Sequence, residues 1–443
     1  MIHVAWPWLG LLLPLPWVVY RWRRPAEAGG ATVFFPFAAQ LASQPASAVT
    51  LSRYARLLLV CIWLLLIAAA MRPQWLGDPL AIPTTGRRLL LAIDVSGSMQ
   101  IEDMSNGASR LSVGESPTPH AGPGEIRVRV DSVGLCRSDL YGYSGRNNRR
   151  DEVLAPGGTL IMGHEAVGVI DELGEGVSGL ALGQAIAIDP IEGCGDCERC
   201  AAGETNLCPD RRVYGCIPAA PGGFAEAMIA PAANATPLAA GLSLEWGALI
   251  EPLTVGEHGV QLAGVEPGER VLVVGGGVIG LGAAFAAARR GAEVTISEPQ
   301  AARRELIAGL GLTAVEPAEL DALPPHFALA LDCVARPETL AAAVRAVGRS
   351  GTVVLVGIFS DEVPLPVSRV VENETRILGS FAYTHKDFED VAAWLAETDL
   401  DLDRLIELRV GFDGIIDAFD AYASGSFDGV RTIFQPDLEV ASR

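Results

Sequence analysis

The sequence predicts an α/β protein in three parts: a pair of apolar N-terminal helices, a β-rich domain holding clustered cysteines, and a doubly wound parallel sheet. Three observations predict it. Two apolar runs, at 4–20 and 57–71, lie near the start of the chain. From Glu125 to about residue 250, short alternating strands are broken by glycine-rich turns. Beyond that point apolar strands alternate with helical patterns, which marks a parallel sheet with covering helices. The 443 residues are half hydrophobic, enough for two or three domains with sizeable cores.

The N-terminal runs come first. Val4 to Tyr20 is apolar, with Trp6, Trp8 and Trp17 suited to a membrane interface and Pro7, Pro14 and Pro16 interrupting it. Leu57 to Met71 is apolar without a charge. Both are slightly short of the roughly 20 residues of a full span. A cleaved signal peptide is the rival for the first, but its positive charges follow the apolar run. Arg21, Arg23, Arg24, Arg53 and Arg56 lie between the runs, which makes that loop cytoplasmic by the positive-inside rule. The expectation is a membrane contact through 4–20 and 57–71.

Charge marks a boundary. The formal net charge is −20, yet residues 1–110 hold nine Arg, no Lys and five acids, a net of +4, which leaves −24 for the other 333 residues. The division falls near residue 110. The acidic part excludes nucleic acid and anionic membrane surfaces as partners. Ahead of the boundary, an apolar strand at Leu89 to Ile93 runs into Asp94-x-Ser96-x-Ser98. This loop resembles the metal-ion-dependent adhesion loop of von Willebrand A domains. Together with PTTGRRLLLAIDVSGSM and IEDMSNGASRL it resembles the start of aerotolerance-type bacterial membrane proteins. The later loops that would complete a magnesium site there do not follow, so an orphaned strand and turn without metal is the expectation.

The second part carries metal-type residues. Of eight cysteines, Cys194, Cys197, Cys200 and Cys208 are spaced C-x2-C-x2-C-x7-C. Four thiolates on one short loop make a closed tetrahedral zinc site. Cys61, Cys136, Cys216 and Cys333 are scattered, so the pattern reads as metal usage in a reducing compartment. A second constellation is Cys136, Ser138 and Asp139 with Gly163-His164-Glu165. A catalytic zinc keeps an open position among Cys, His and acid ligands. Cys136 offers a thiolate, His164 an imidazole, and Glu165 and Glu251 carboxylates, one of which could alternate with water. Asp139 suits the His164 ring N–H, fixing its tautomer.

The third part opens on a glycine fingerprint. Gly275-x-Gly277-x-x-Gly280 follows the apolar strand Val271 to Val274 and opens a helix through Ala288, the strand–turn–helix context of a dinucleotide loop. Gly275 makes the turn, Gly277 admits the pyrophosphate, and Gly280 permits close helix–strand packing. Val278 and Ile279 begin the helix, whose N-terminus favours the anion. The next strand, Glu293 to Ser297, ends at Glu298. An acid there binds the ribose 2′-hydroxyl and disfavours a 2′-phosphate, so NAD is expected over NADP; Arg303 and Arg304 could soften that preference. His258 and His385 read as structural or substrate-lining. Asp332 reads as the end of a sheet strand near the nicotinamide.

From about Leu111 onward these motifs stand in the order of a known family. GPGEIRVRVDSVGLCRSDL, GHEAVGVIDELGEGV, the cysteine lobe, GGFAEAMI, ALIEPLTVG and VLVVGGGVIGLGAA resemble the zinc-dependent medium-chain dehydrogenases of the sorbitol and threonine dehydrogenase type. The resemblance implies a GroES-like catalytic domain at 111–252, an NAD-binding Rossmann domain at 253–384, a return to the catalytic domain at 385–443, and a foreign segment at 1–110. It implies catalytic and structural zinc, NAD, a homo-oligomer, a cytoplasmic dehydrogenase part, and oxidation of a secondary alcohol, polyol or sugar-like small molecule to a ketone. Ser138 matches the position that hydrogen-bonds the substrate oxygen, and Glu251-Pro252-Leu253 resembles the polyol-type members. Many members carry a His five residues after the zinc Cys as a proton relay; here that position is Tyr141, a poor relay at neutral pH.

The alternatives are a membrane-anchored von Willebrand A interaction protein, or a chimeric reading frame carrying an inactive dehydrogenase scaffold. The adhesion-type segment stops, and the dehydrogenase-like part lacks its usual first strand, both near residues 106–116. Leu89 to Ile93 could fill that missing slot, since an unpaired edge is sticky.

Overall fold

A computed structural model of the chain describes residues 111–143, 160–217, 219–321, 326–359 and 362–438, with short stretches of the first ninety residues. Met1–Thr84 forms a compact unit of its own. Within it Ile2–Val4 pairs antiparallel with Pro73–Trp75, His3 facing Gln74. No helix among the described residues is long and apolar enough to cross a membrane. Most of the runs at 4–20 and 57–71 lies outside the described residues, as do Asp94, Ser96 and Ser98.

The second unit is Thr85–Arg443. The strand expected at 89–93 is found at Arg87–Leu90, antiparallel to Val113–Ser116 with Leu89 facing Gly114. This two-stranded ribbon is separate from the larger sheets. The strand therefore pairs with Val113–Ser116, the segment ahead of which the missing first strand is expected. Val113, Gly114 and Glu115 are exposed, so their side of the ribbon offers no apolar face to draw it into a core.

The first large sheet contains β1 (Glu125–Gly134), β2 (Ala166–Leu173), β3 (Ala185–Ile188), β4 (Ala227–Pro231) and β5 (Ala235–Pro237). Strand β1 spans Glu125–Gly134, opening the stretch where short alternating strands are expected. Its sequence explains it. Ile126, Val128 and Val130 are buried while Arg127 and Arg129 between them are not, the period-two pattern of a strand with one face on a core. That core gathers Phe224, Phe419 and Phe434, with Phe224 edge-on to both of the others at 5.9 and 5.7 Å.

The second sheet is formed by β6 (Arg270–Val274), β7 (Glu293–Ser297), β8 (Thr313–Val315), β9 (Phe327–Asp332), β10 (Val347–Leu355) and β11 (Arg376–Gly379). All pairings are parallel, in the order β8-β7-β6-β9-β10-β11. The order reverses beside β6, and such a switch point is where open parallel sheets leave a ligand crevice. Val271 to Val274 are all buried, as strands covered on both faces must be.

The chain then returns. Strands β12 (Ile406–Val410) and β13 (Arg431–Phe434) join the first sheet, whose order is β5-β3-β2-β1-β13-β12, with β4 also on β1. Five helices position the site: α1 (Arg137–Tyr143), α2 (Ile250–Ala263), α3 (Val278–Arg289), α4 (Ala301–Gly309) and α5 (His385–Glu397). The boundary expected at 252/253 falls inside α2, and that expected at 384/385 coincides with the start of α5.

Candidate active site

The site is built where β1 ends. Leu135 N–H donates to the carbonyl of Thr432 at 3.0 Å, which ties the end of β1 to β13. Cys136 follows, and α1 begins one residue later. Asp139, in the first turn of α1, accepts from the Cys136 N–H at 3.2 Å. His164 and Glu165 stand immediately before β2, both buried. One ligand atom from each of Cys136, His164 and Glu165 lies within 4.8 Å of the others. Ser138 Oγ is 3.2 Å from His164 Nε2, and Asp139 Oδ1 is 3.3 Å from Nδ1. The two ring nitrogens therefore face different partners. Nδ1 turns to the buried carboxylate and Nε2 turns to the cluster, the arrangement of a metal-bound imidazole with its supporting acid.

Charge favours a cation here. Burial opposes a proton on His164, but Asp139, Cys216 and Cys136 outweigh it and raise the ring well above its ordinary value. Burial pushes the Cys136 thiol up, yet the His164 charge and hydrogen bond bring it below the usual range. A thiolate, an imidazole and a carboxylate converge on one point and attract positive charge to it. The donor set fits a divalent ion of the zinc type, whose binding displaces protons from the same groups.

Glu251 lies at the start of α2. It is outside that three-residue cluster, although the His164 charge acts on it. Burial raises its carboxyl to about 6, with His164 and the Tyr383 hydroxyl opposing the rise. Tyr383 O–H donates to Glu251 Oε1 at 3.0 Å.

Three participants escaped the sequence reading. Arg431, from β13, is buried, forms an ion pair with Glu165 and donates from Nη1 to the carbonyl of Leu135 at 2.9 Å. Its signal was a charged residue inside a strand that is otherwise Thr, Ile and Phe. Cys216 is near enough to act on His164, and Tyr383 reaches Glu251 from the segment between β11 and α5. Neither carries a local motif. Tyr141 lies in α1.

The four lobe cysteines come together as expected. Cys200 N–H donates to Cys197 Sγ and Cys194 N–H to Cys208 Sγ, each at 3.4 Å, and Cys194 and Cys200 sulfurs are 4.0 Å apart. Sulfurs bound at about 2.3 Å round a tetrahedral ion stand about 3.8 Å apart, so the spacing fits one zinc. The Cys200 N–H lowers the Cys197 thiol to about 7, while the Asp196 side chain raises Cys194 to about 12. All seven cysteines among the described residues are free.

The glycine loop follows β6. Gly275 has φ +99°, a left-handed backbone that glycine adopts without strain. A side chain on Gly280 would collide with the Gly275 carbonyl. Gly277 caps α3, which starts at Val278 and Ile279. Glu298 is buried, and its two carboxylate oxygens accept from Gly276 N–H at 2.8 Å and Gln300 N–H at 2.9 Å. Arg303 donates to the carbonyls of Asp428 and Gly429 at 3.1 and 2.8 Å. Arg304 donates to those of Glu298 and Pro299 at 2.8 and 2.7 Å. Both arginines are thus bonded to backbone. Asp332 accepts from Val334 and Ala335 N–H and from Thr339. His258 Nδ1 is 2.8 Å from Asp387, and His385 Nδ1 is 2.9 Å from Asp189.

Comparison with known proteins decides the family. The alcohol dehydrogenase GroES-like domain matches residues 122–240, and the zinc-binding dehydrogenase domain matches 278–397. The 2-dehydro-3-deoxy-L-galactonate 5-dehydrogenase of Pseudoalteromonas atlantica is 31% identical over 345 residues, covering 76% of this chain and 98% of that protein. The chain belongs to the zinc-dependent medium-chain dehydrogenases. A sorbitol dehydrogenase of Arabidopsis thaliana is 30% identical across 74% of this dehydrogenase and 92% of its own length. Among solved structures, a Sinorhizobium meliloti protein of the zinc-binding dehydrogenase type bound to NADP superposes with TM-score 0.70 at 30% identity, covering 79% and 99% of the two chains. The dehydrogenase fold is therefore GroES-like plus Rossmann, and the family is one of oxidoreductases. The segment resembling a von Willebrand A start finds no support in these matches.

Proposed function

We propose that this dehydrogenase oxidises the secondary alcohol of a polyol or sugar acid to a ketone, with NAD as hydride acceptor. The observation that carries the reading is the convergence of Cys136, His164 and Glu165, with Ser138 Oγ 3.2 Å from His164 Nε2. Cys136 and His164 would hold a zinc ion, with Glu165 or Glu251 beside it. When bound, zinc stabilises an alkoxide as a Lewis acid. Ser138 would hydrogen-bond the substrate hydroxyl and relay its proton, handing its own hydroxyl proton on to water or the cofactor ribose as it takes the substrate's; Asp139 keeps the His164 ring oriented. Cys194, Cys197, Cys200 and Cys208 would hold a structural zinc. The relatives named for galactonate-type and sorbitol substrates support the substrate class.

Gly275, Gly277, Val278, Ile279 and Gly280 would cradle the pyrophosphate. Glu298, fixed by two backbone N–H groups, would meet the adenosine ribose and favour NAD. Arg303 and Arg304 are bonded to carbonyls, which leaves them poorly placed to recruit a 2′-phosphate. The working division is a zinc-binding part at 111–252, a cofactor part at 253–384 and a return at 385–443. Copies would associate through the edge strand β11. Metal-bound thiolates and NAD suit the cytoplasm.

The test is NADH formation by purified, zinc-loaded protein across sorbitol, galactonate and primary alcohols. Turnover of a secondary alcohol by the wild type, lost in His164→Ala, is the expected result. Absence of turnover with zinc bound at both sites would count against the reading.

A further inference from the structure

The cysteine lobe and the active-site carboxylate touch the same short segment. After β11 the Ser380 N–H donates to the Leu355 carbonyl at 2.9 Å, and the chain leaves the sheet. Asn206, in the lobe turn Thr205–Leu207 between Cys200 and Cys208, is 2% exposed, and its Nδ2 donates to the Phe381 carbonyl at 2.7 Å. Arg211 lies over the Phe381 ring, 4.7 Å from its centre, and donates to the Cys208 carbonyl at 3.0 Å. Ala382 then turns at φ +49°, a left-handed conformation that an alanine holds only when its surroundings impose it. Tyr383 follows. It is fully buried, and its hydroxyl donates to Glu251 at 3.0 Å.

We infer that the lobe positions the active-site carboxylate: Asn206 pins the Phe381 carbonyl, the pinned turn fixes Tyr383, and Tyr383 orients Glu251. The inference rests on the reading of Glu251 as a group beside the catalytic zinc. It gives the lobe a role beyond stability. Asn206 stands two residues from a lobe cysteine, so its position depends on the folded lobe. Losing it frees the Phe381 carbonyl and lets the left-handed turn relax. The Tyr383 hydroxyl, the only side-chain donor that Glu251 has among the described residues, then loses its aim. Asn206 and Tyr383 are positioning residues, since neither touches the reacting atoms in this account.

The experiment uses the full chain loaded with zinc in the lobe and cobalt in the catalytic site. It follows the cobalt d–d spectrum and the rate at which a chelator removes the cobalt. Wild-type metal content and loss of cobalt binding in His164→Ala test the underlying reading separately. Asn206→Leu keeps the volume and removes the donor; Tyr383→Phe removes the hydroxyl. Each should speed cobalt loss roughly five- to tenfold, the scale of one hydrogen bond, and shift the spectrum with lobe zinc retained. The double variant should lose cobalt no faster than the faster single variant, because both act on one path. Arg211→Gln, which uncaps the Phe381 ring and frees the Cys208 carbonyl but leaves the Asn206 bond in place, should give a smaller change in the same direction and serves if Asn206→Leu fails to fold. A lower melting temperature with unchanged cobalt loss and spectrum would overturn the inference, as would multiplicative effects in the double variant.

Discussion

The two metal-type clusters are assembled in opposite ways. The lobe draws four identical ligands from fifteen consecutive residues, Cys194 to Cys208, and leaves three of them exposed or half-buried. The active site draws on the end of β1, the entry to β2, the start of α2, the loop before α5 and strand β13, and it buries His164, Glu165, Asp139, Tyr383 and Arg431 while Cys136 is half-buried. A lobe of this kind needs only its own spacing. The active site needs the whole dehydrogenase fold. The contrast predicts that variants of the lobe cysteines lose metal and stability together, whereas active-site variants lose catalysis first.

The largest effect should come from Cys197→Ser. One of two zinc ions per chain is lost, and with it much of the folding energy that structural zinc supplies, on the order of 10 kcal/mol in isolated lobes. Metal analysis and thermal melting check this; an unchanged zinc content breaks the comparison at its first term. Ser138→Ala tests the other side. Turnover should drop roughly a hundredfold, the lower end of what one positioned proton-transfer group contributes, while both zinc ions and the melting temperature stay near wild type. A near-normal kcat on the best alcohol would remove Ser138 from the chemistry.

A third change sharpens the contrast at the cofactor loop. Glu298→Ser removes the negative charge proposed to meet the ribose and should move the NAD/NADP ratio of kcat/KM about tenfold toward NADP. Equal use of both cofactors by the wild type would show that Glu298 does not select.

The smallest effect concerns His385, which joins α5 to the buried Asp189 at 2.9 Å. The Asp189 hydrogen bond raises the His385 ring against the opposing effect of burial. A raised histidine stabilises the fold below its unfolded value, about 6.5, and the contribution fades as pH rises through the higher folded value. Burial in turn raises Asp189, with His385 opposing, which narrows the window at its acid end. His385→Gln should therefore lower the melting temperature by a degree or two near pH ~6 and hardly at all near pH ~9. An equal loss at both values would assign the effect to packing.

How much of this was legible follows from the same contrast. The lobe, the glycine turn, and strands such as β1 and β7 were readable because each is specified within a dozen residues by spacing or alternation. Cys136, Ser138, Asp139 and His164 were readable as two short motifs, though nothing in either motif says that they meet. Arg431, Tyr383 and Cys216 were not readable, because tertiary packing alone brings them to the site. The two bonds that hold Arg303 to Asp428 and Gly429 have the same origin: a helix-face arginine looks identical in sequence whether it faces a cofactor or a distant loop. Strand Arg87–Leu90 was readable as a strand, but its partner depended on an exposed segment beyond the hydrophobic signal.

The ion pair between Arg431 and Glu165 has a consequence in time. Synthesis runs one way, and Arg431 is made 296 residues after Leu135, the residue whose carbonyl it also binds. At roughly 5–20 residues per second that interval is on the order of 15–60 s. Cys194 and Cys208, 14 residues apart, emerge within about 1–3 s of each other at the same speed. A nascent chain stalled before β13 should therefore retain one zinc and release the other readily, which metal analysis of stalled ribosome complexes would measure. On the proposed reading the lobe would be loaded while the ribosome is still at work, and the catalytic ion would wait for the last strand of the sheet.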